Sequence, residues 1–162
     1  VERAHVLGFS MGAHIALTAA LVDPGRIDHL VVAGVGARMF DPPRAEGAMA
    51  EAMEAASPDE IADPMLKSFR HFADEQKEDR LALAACSRGA RVPLTRDSLM
   101  AIRRPTVVVA GARDQLAGPP QGLAEAIPGA KAVTLPGCDH FSCIGHPMFK
   151  ATVFDFFDGW LE

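Results

Sequence analysis

Ser10 stands between two glycines in the segment Gly8-Phe9-Ser10-Met11-Gly12. An apolar run leads into it and a helix-like run, AHIALTAALV, leaves it. A serine hydroxyl becomes a useful nucleophile only when a base takes its proton, so the pattern calls for a histidine. Of the six histidines, His140 directly follows the apolar run KAVTL through a short polar turn. His5, His14, His29 and His71 fall where packing or surface roles are expected, and His146, just before Pro147, reads as a helix cap. An imidazole in turn needs a carboxylate to fix its tautomer and stabilise its charged form. Asp114 closes the run VVVAGARD and supplies one. Asp41 is an alternative acid behind its own apolar run. Asp139, the chain neighbour of His140, is expected to do no more than face solvent, because adjacent loop residues rarely orient one another. Ser10, Asp114 and His140 together are the parts of an acyl-transfer site, with the Met11 amide aimed at a developing oxyanion.

These three residues are far apart in sequence, so a scaffold must gather them. Residues 4–7 read as the end of a buried strand, and residues 11–22 as a helix stopped by Asp23-Pro24-Gly25. HLVVAGV (29–35), TVVVAGA (106–112) and KAVTL (131–135) are runs of the kind buried on both faces of a parallel sheet. A helix is expected around residues 119–127, ended by Pro128-Gly129. A last helix starts at Pro147 and puts Phe149, Val153, Phe156 and Trp160 on one face. Strands alternating with helices give an α/β fold: a three-layer, mostly parallel sheet of about four strands with flanking helices. In such a sheet the loops leaving the carboxyl ends of the strands share one rim. Gly8 and Gly12 are expected to let strand and helix approach closely while Ser10 is held on a strained bend.

Residues 38–103 break this rhythm. They contain helical runs only: a capping-box pattern at Ser57-Pro58-Asp59-Glu60, a start at Asp63-Pro64, and KEDRLALAACSRG with Gly89 as its stop. An insertion that long is expected to be a functional cap rather than a crossover. The domain plan is therefore core at 1–37, helical cap at 38–103, and core again at 104–162. Met39, Phe40, Met49, Met53, Phe69 and Phe72 either fill the cores or line an apolar acyl pocket.

The 162 residues carry 49% hydrophobic and 23% charged residues and a net charge of −5, which argues against binding nucleic acid or an anionic membrane surface. Cys86, Cys138 and Cys143 cannot all pair and lack CxxC spacing, which fits reduced thiols and a cytoplasmic location. The dispersed histidines give no metal-ligand set, and no metal or other cofactor is expected.

Three motifs in order, GFSMG, AGARD and GCDHF, resemble the nucleophile elbow, acid turn and histidine loop of the α/β-hydrolase superfamily from the elbow onward. The chain order Ser…Asp…His agrees with that superfamily. Within it, the chain looks most like the small, cofactor-free esterases, enol-lactonases and perhydrolases. The resemblance implies a serine hydrolase acting on a small-molecule carboxylic ester or lactone through Ser10, His140 and Asp114. Only nine residues precede Ser10, whereas the family places several strands and a second oxyanion donor there. The chain is accordingly expected to be a fragment. Its first strand would form an exposed apolar edge suited to a homodimer or to a missing amino-terminal half. The alternative to catalysis is a weak or inactive remnant that binds a partner through that edge.

Overall fold

Four apolar runs become four strands. The computed structural model describes residues 1–42, 47–89 and 92–161. Along the chain lie β1 (Ala4–Phe9), α1 (Met11–Val22), β2 (Ile27–Ala33), α2 (Ala48–Glu54), α3 (Pro64–Glu75), α4 (Arg80–Arg88), α5 (Arg96–Leu99), β3 (Thr106–Gly111), α6 (Gln121–Ala124), β4 (Lys131–Leu135) and α7 (Pro147–Phe157). The chain divides into two compact units, one of Val1–Asp41 with Pro93–Glu162, the other of Pro42–Val92.

In the first unit the strands pair in parallel in the order β1-β2-β3-β4. All six residues of β3 are buried, as a central parallel strand demands. Successive side chains leave opposite faces of a strand, and the core divides accordingly. Leu30, Val32 and Val108 pack with Leu17, Leu99, Leu123 and Ile127 from the α1, α5 and α6 side. Val31, Ala33, Val107 and Val109 pack with Leu135, Phe149 and Phe156 on the α7 side. The result is the expected three-layer α/β fold with a four-stranded parallel sheet.

Several local expectations need correction. Residues 93–103, placed in the insertion from sequence, belong to the first unit. Leu99 and Ile102 are almost fully buried in its core, and α5 opens with a capping box between Thr95 and Ser98. The helix expected over 119–127 is α-helical only at Gln121–Ala124. Ala126 and Ile127 then bond back three residues, to Leu123 and Ala124, tightening the chain ahead of Pro128. Trp160 leaves the face it was expected to share with Phe149 and Phe156. The chain turns at Gly159 (φ 80), beyond the end of α7, and Trp160 is 81% exposed.

The second unit packs α2, α3 and α4 around Ala50, Met53, Ala73 and Ala84, with Met49, Phe69 and Leu83 alongside. The Ser57 hydroxyl accepts from the Asp59 amide and Glu60 accepts from the Ala56 amide. This closes a single 3-10 turn in place of the expected α-helical capping box. Asp63 and Asp79 cap α3 and α4 as oxygen acceptors, and Gly89 ends α4 without a left-handed turn. Arg70, 3% exposed, joins two of the helices. Its Nη1 donates to the carbonyls of Ala52 (3.3 Å) and Ala55 (2.7 Å) at the end of α2, while its Nε pairs with Asp74. The orphan carbonyls of a helix end are thus met by a buried cation.

Phe156 and Trp160, near the carboxyl end, separate cleanly by burial. Phe156→Ala should lower unfolding free energy by about 3–5 kcal/mol, whereas Trp160→Ala should change it by less than about 0.5 kcal/mol. Urea denaturation of both variants checks this.

Candidate active site

The site begins where β1 hands over to α1. The Ser10 amide still bonds to the Ala33 carbonyl of β2 at 2.8 Å, while its own carbonyl already accepts from the Ala13 amide of α1 at 3.0 Å. One residue must serve both elements, and Ser10 does so at φ 52, ψ −113, a strained region for a side chain larger than hydrogen. The turn is tight enough that a Cβ at Gly8 would lie 2.2 Å from the Gly12 carbonyl oxygen. A Cβ at Gly12 would meet nothing within 4 Å, so the close approach demands a bare position at Gly8 alone. Serine commonly caps a helix with its hydroxyl, yet Ser10 makes no such bond.

Its hydroxyl is used elsewhere. Ser10 Oγ–H donates to His140 Nε2 at 3.0 Å, and His140 Nδ1–H donates to Asp114 Oδ2 at 2.9 Å. The other carboxylate oxygen, Asp114 Oδ1, accepts from the Leu116 and Ala117 amides at 3.0 and 2.9 Å. A carboxylate only accepts, so Nδ1 carries the ring proton and Nε2 presents its lone pair to Ser10. Asp114 and His140 are both buried. Asp114 is therefore fixed by bonds that do not depend on His140.

The acid turn and the histidine loop are laced together beyond the strand ends. Ala112 donates to the Leu135 carbonyl at 2.8 Å and Arg113 to the Cys138 carbonyl at 3.0 Å. The Arg113 guanidinium also bonds the Gly137 carbonyl. Aromatic rings hold the imidazole from two sides, Phe9 with its centroid at 5.0 Å and Phe141 edge-on at 5.7 Å. Gly34 (φ 63) makes room for this packing. A Cβ there would lie 2.8 Å from Phe9 Cε2 and 3.1 Å from His140 Cε1.

The other candidates sit apart from this chain of bonds. His146 Nδ1 accepts from the Met148 amide and caps α7. Asp41 follows the short helix Ala37–Phe40, its amide donating to the Arg38 carbonyl. His5 and His29 meet each other, Nδ1 to Nδ1 at 3.1 Å, on neighbouring strands. Met39 and Phe40 pack against the first unit's core. Met49, Met53 and Phe69 pack in the second, and Phe72 is exposed. Asp139 is exposed, as expected, and also bonds Ser142 through both side chain and backbone. That Asp-x-x-Ser bracket around His140 was readable in the sequence, as an acceptor and a hydroxyl at turn spacing, and was not anticipated. Gly34 carried no sequence signal, since its partners are distant.

Cys143 is buried, and desolvation, followed by its neighbours Cys138 and Asp114, pushes its thiol up to about 12, which keeps it protonated and inert. Among the described residues no group of three or more His, Cys, Asp or Glu side chains is arranged to hold a metal ion, and no helix is long and apolar enough to cross a membrane.

The family model of the alpha/beta hydrolases matches residues 1–150. The chain belongs to the alpha/beta hydrolase family. This α/β hydrolase is 30% identical to a hydrolase from Pseudomonas aeruginosa, with a TM-score of 0.75 and coverage of 98% of this chain and 66% of that one. It is 24% identical to the enol-lactonase from Burkholderia xenovorans, with a TM-score of 0.73 and coverage of 100% and 67%. An alpha/beta hydrolase enzyme from a deep-sea metagenome library is also 24% identical, with a TM-score of 0.71 and coverage of 98% and 66%. The chain thus spans about two thirds of the length of these solved relatives. No curated protein sequence matches it.

In this α/β hydrolase, Gly34→Ala should push Phe9 or the His140 ring aside. The expected outcome is a stability loss of about 1–3 kcal/mol, and slower reaction of Ser10 with an organophosphonate than in the parent. Thermal denaturation and labelling kinetics check it together.

Proposed function

We propose that this chain is a serine hydrolase that cleaves a carboxylic ester or lactone. The observation that carries the reading is the unbroken hydrogen-bonded sequence from Ser10 through His140 to Asp114, at 3.0 and 2.9 Å. Ser10 Oγ attacks the substrate carbonyl carbon as its proton passes to His140 Nε2. The imidazolium is stabilised by Asp114, which keeps Nδ1 in place without taking its proton. The Met11 amide, at the first position of α1, donates to the oxyanion, aided by the dipole of that helix. His140 then returns the proton to the departing alkoxide and the C–O bond breaks, leaving an acyl group on Ser10. Water attacks this ester as His140 Nε2 takes its proton, that proton passes to Ser10 Oγ as the acyl C–Oγ bond breaks, and the carboxylic acid leaves. In a lactone the alkoxide and acid belong to one product. The step needs no cofactor.

Strain at Ser10 supports this assignment. A non-glycine residue at positive φ costs about 1–3 kcal/mol, and a hydroxyl with no helix-capping bond is an odd return on that cost unless it is wanted for the imidazole. Three free thiols, two of them buried, support a cytoplasmic setting for the enzyme.

One observation favours a second reading. Among the described residues β1 pairs with β2 alone, and Leu7 on it is 42% exposed. An apolar strand edge of that kind suits a binding partner, a second copy or another segment of hydrolase chain, and a weak or inactive remnant would use it that way.

An organophosphonate probe separates the two. The hydrolase reading expects stoichiometric labelling of Ser10, lost in Ser10→Ala, and a fall in ester turnover of at least about 10³-fold for Ser10→Ala and for Asp114→Asn. Folded protein that neither labels nor turns over an aryl ester would leave the remnant reading standing.

A further inference from the structure

The loop that carries His140 closes on itself immediately around the imidazole. The Asp139 amide donates to Ser142 Oγ at 3.0 Å. In return the Ser142 amide and the Ser142 hydroxyl donate to Asp139 Oδ1 at 3.0 and 2.6 Å. Two residues three apart therefore exchange three bonds, with His140 and Phe141 inside the bracket.

We propose that Asp139 and Ser142 form a clasp whose role is to position His140 between Ser10 and Asp114; the inference rests on the serine-hydrolase reading of that site. His140 is held at Nδ1 by a carboxylate on a different loop and at Nε2 by a hydroxyl on a third element. Its ring can meet both only if its own backbone is fixed in place and direction. Upstream, that backbone is fixed by Arg113, whose amide and guanidinium hold the carbonyls of Cys138 and Gly137. Downstream of His140, Cys143 is buried in the core and its carbonyl accepts from the His146 amide at 3.1 Å. Between those anchors, the three bonds between Asp139 and Ser142 add a constraint at the residues that flank His140 and Phe141. Both residues are exposed, so neither serves the core, which leaves loop geometry as the consequence of the bonds. The Asp139 carboxyl is held below the usual carboxylate range, first by the Ser142 hydroxyl and then by its amide. The charged acceptor that the clasp needs is thus the form that the clasp favours. Asp139 and Ser142 are positioning residues. They touch neither Ser10 nor any reacting atom.

The test compares Ser142→Ala, Ser142→Thr, Asp139→Ala and Asp139→Asn in the full chain. Readouts are kcat and KM for an aryl ester, the rate of organophosphonate labelling of Ser10, and Tm. Because a misplacement of about 1 Å can cost on the order of 100-fold, Ser142→Ala and Asp139→Ala should lower kcat and the labelling rate by about 10-fold or more, with KM within about twofold. Ser142→Thr keeps the hydroxyl, and Asp139→Asn keeps an oxygen at the acceptor position, so both should stay within about threefold of the parent. Should one alanine variant fail to fold, the other member of the pair gives the same reading. Parent-like kcat in the alanine variants overturns the clasp while leaving the hydrolase assignment untouched, as does a fall in Tm with unchanged kcat. Equal losses in the conservative and alanine variants also overturn it, since bond-keeping substitutions would then fail to rescue. A parent protein that neither labels nor hydrolyses overturns the serine-hydrolase reading itself, and the clasp with it.

Discussion

Parallel pairing of β1, β2, β3 and β4 sends the carboxyl end of every strand to the same rim. Ser10, Asp114 and His140 follow three of those ends within a few residues. Hydrogen bonding does not stop where the strands do. Ser10 to Ala33, Gly34 to Val109 and Ala112 to Leu135 continue the ladder by one bond at each junction. Those bonds set where the three loops begin, and a few residues of loop cannot drift far from a fixed origin. The meeting of a hydroxyl, an imidazole and a carboxylate spread over 130 residues of chain follows from strand pairing before any of the three groups contributes attraction of its own.

Local devices then turn approximate placement into bonding distance. The elbow works because Gly8 lets the Gly12 carbonyl come closer than any side chain would permit. The imidazole packs against the rings of Phe9 and Phe141, and a bare Gly34 leaves room for that packing. Asp114 is fixed by two amides of its own turn, so its carboxylate does not depend on His140 for orientation. Burial strengthens each of these bonds by removing competing water. The strain at Ser10 is carried by a core in which Leu17, Leu30, Val32 and Val108 are fully enclosed.

Much of this was legible in the residues themselves. Runs of β-branched residues marked β2 and β3 as buried strands, but KAVTL, expected to be buried on both faces, became β4 with Leu135 alone of its five residues buried. The order Ser10, Asp114, His140 was readable because each follows such a run. Other features depended on contacts that no local pattern encodes. Gly34 matters through Phe9 and His140, which are distant in sequence. Residues 93–103 looked like part of a helical insertion because they lack a strand, yet Leu99 and Ile102 fill the sheet's core. Trp160 matched the helical period of its segment, but Gly159 turned the chain before that period could apply. Asp139 is exposed, as its position suggested, while its bonds to Ser142 rest on turn spacing rather than on its neighbour His140.

The central claim is that the His140 Nδ1 proton lies in a bond to Asp114 while Nε2 faces Ser10. Proton NMR on histidine-labelled protein reads that bond directly. The account predicts a far-downfield Nδ1 proton resonance from His140 in the folded parent, lost in both His140→Ala and Asp114→Ala. A folded parent without that resonance, or a resonance unchanged in Asp114→Ala, would contradict it.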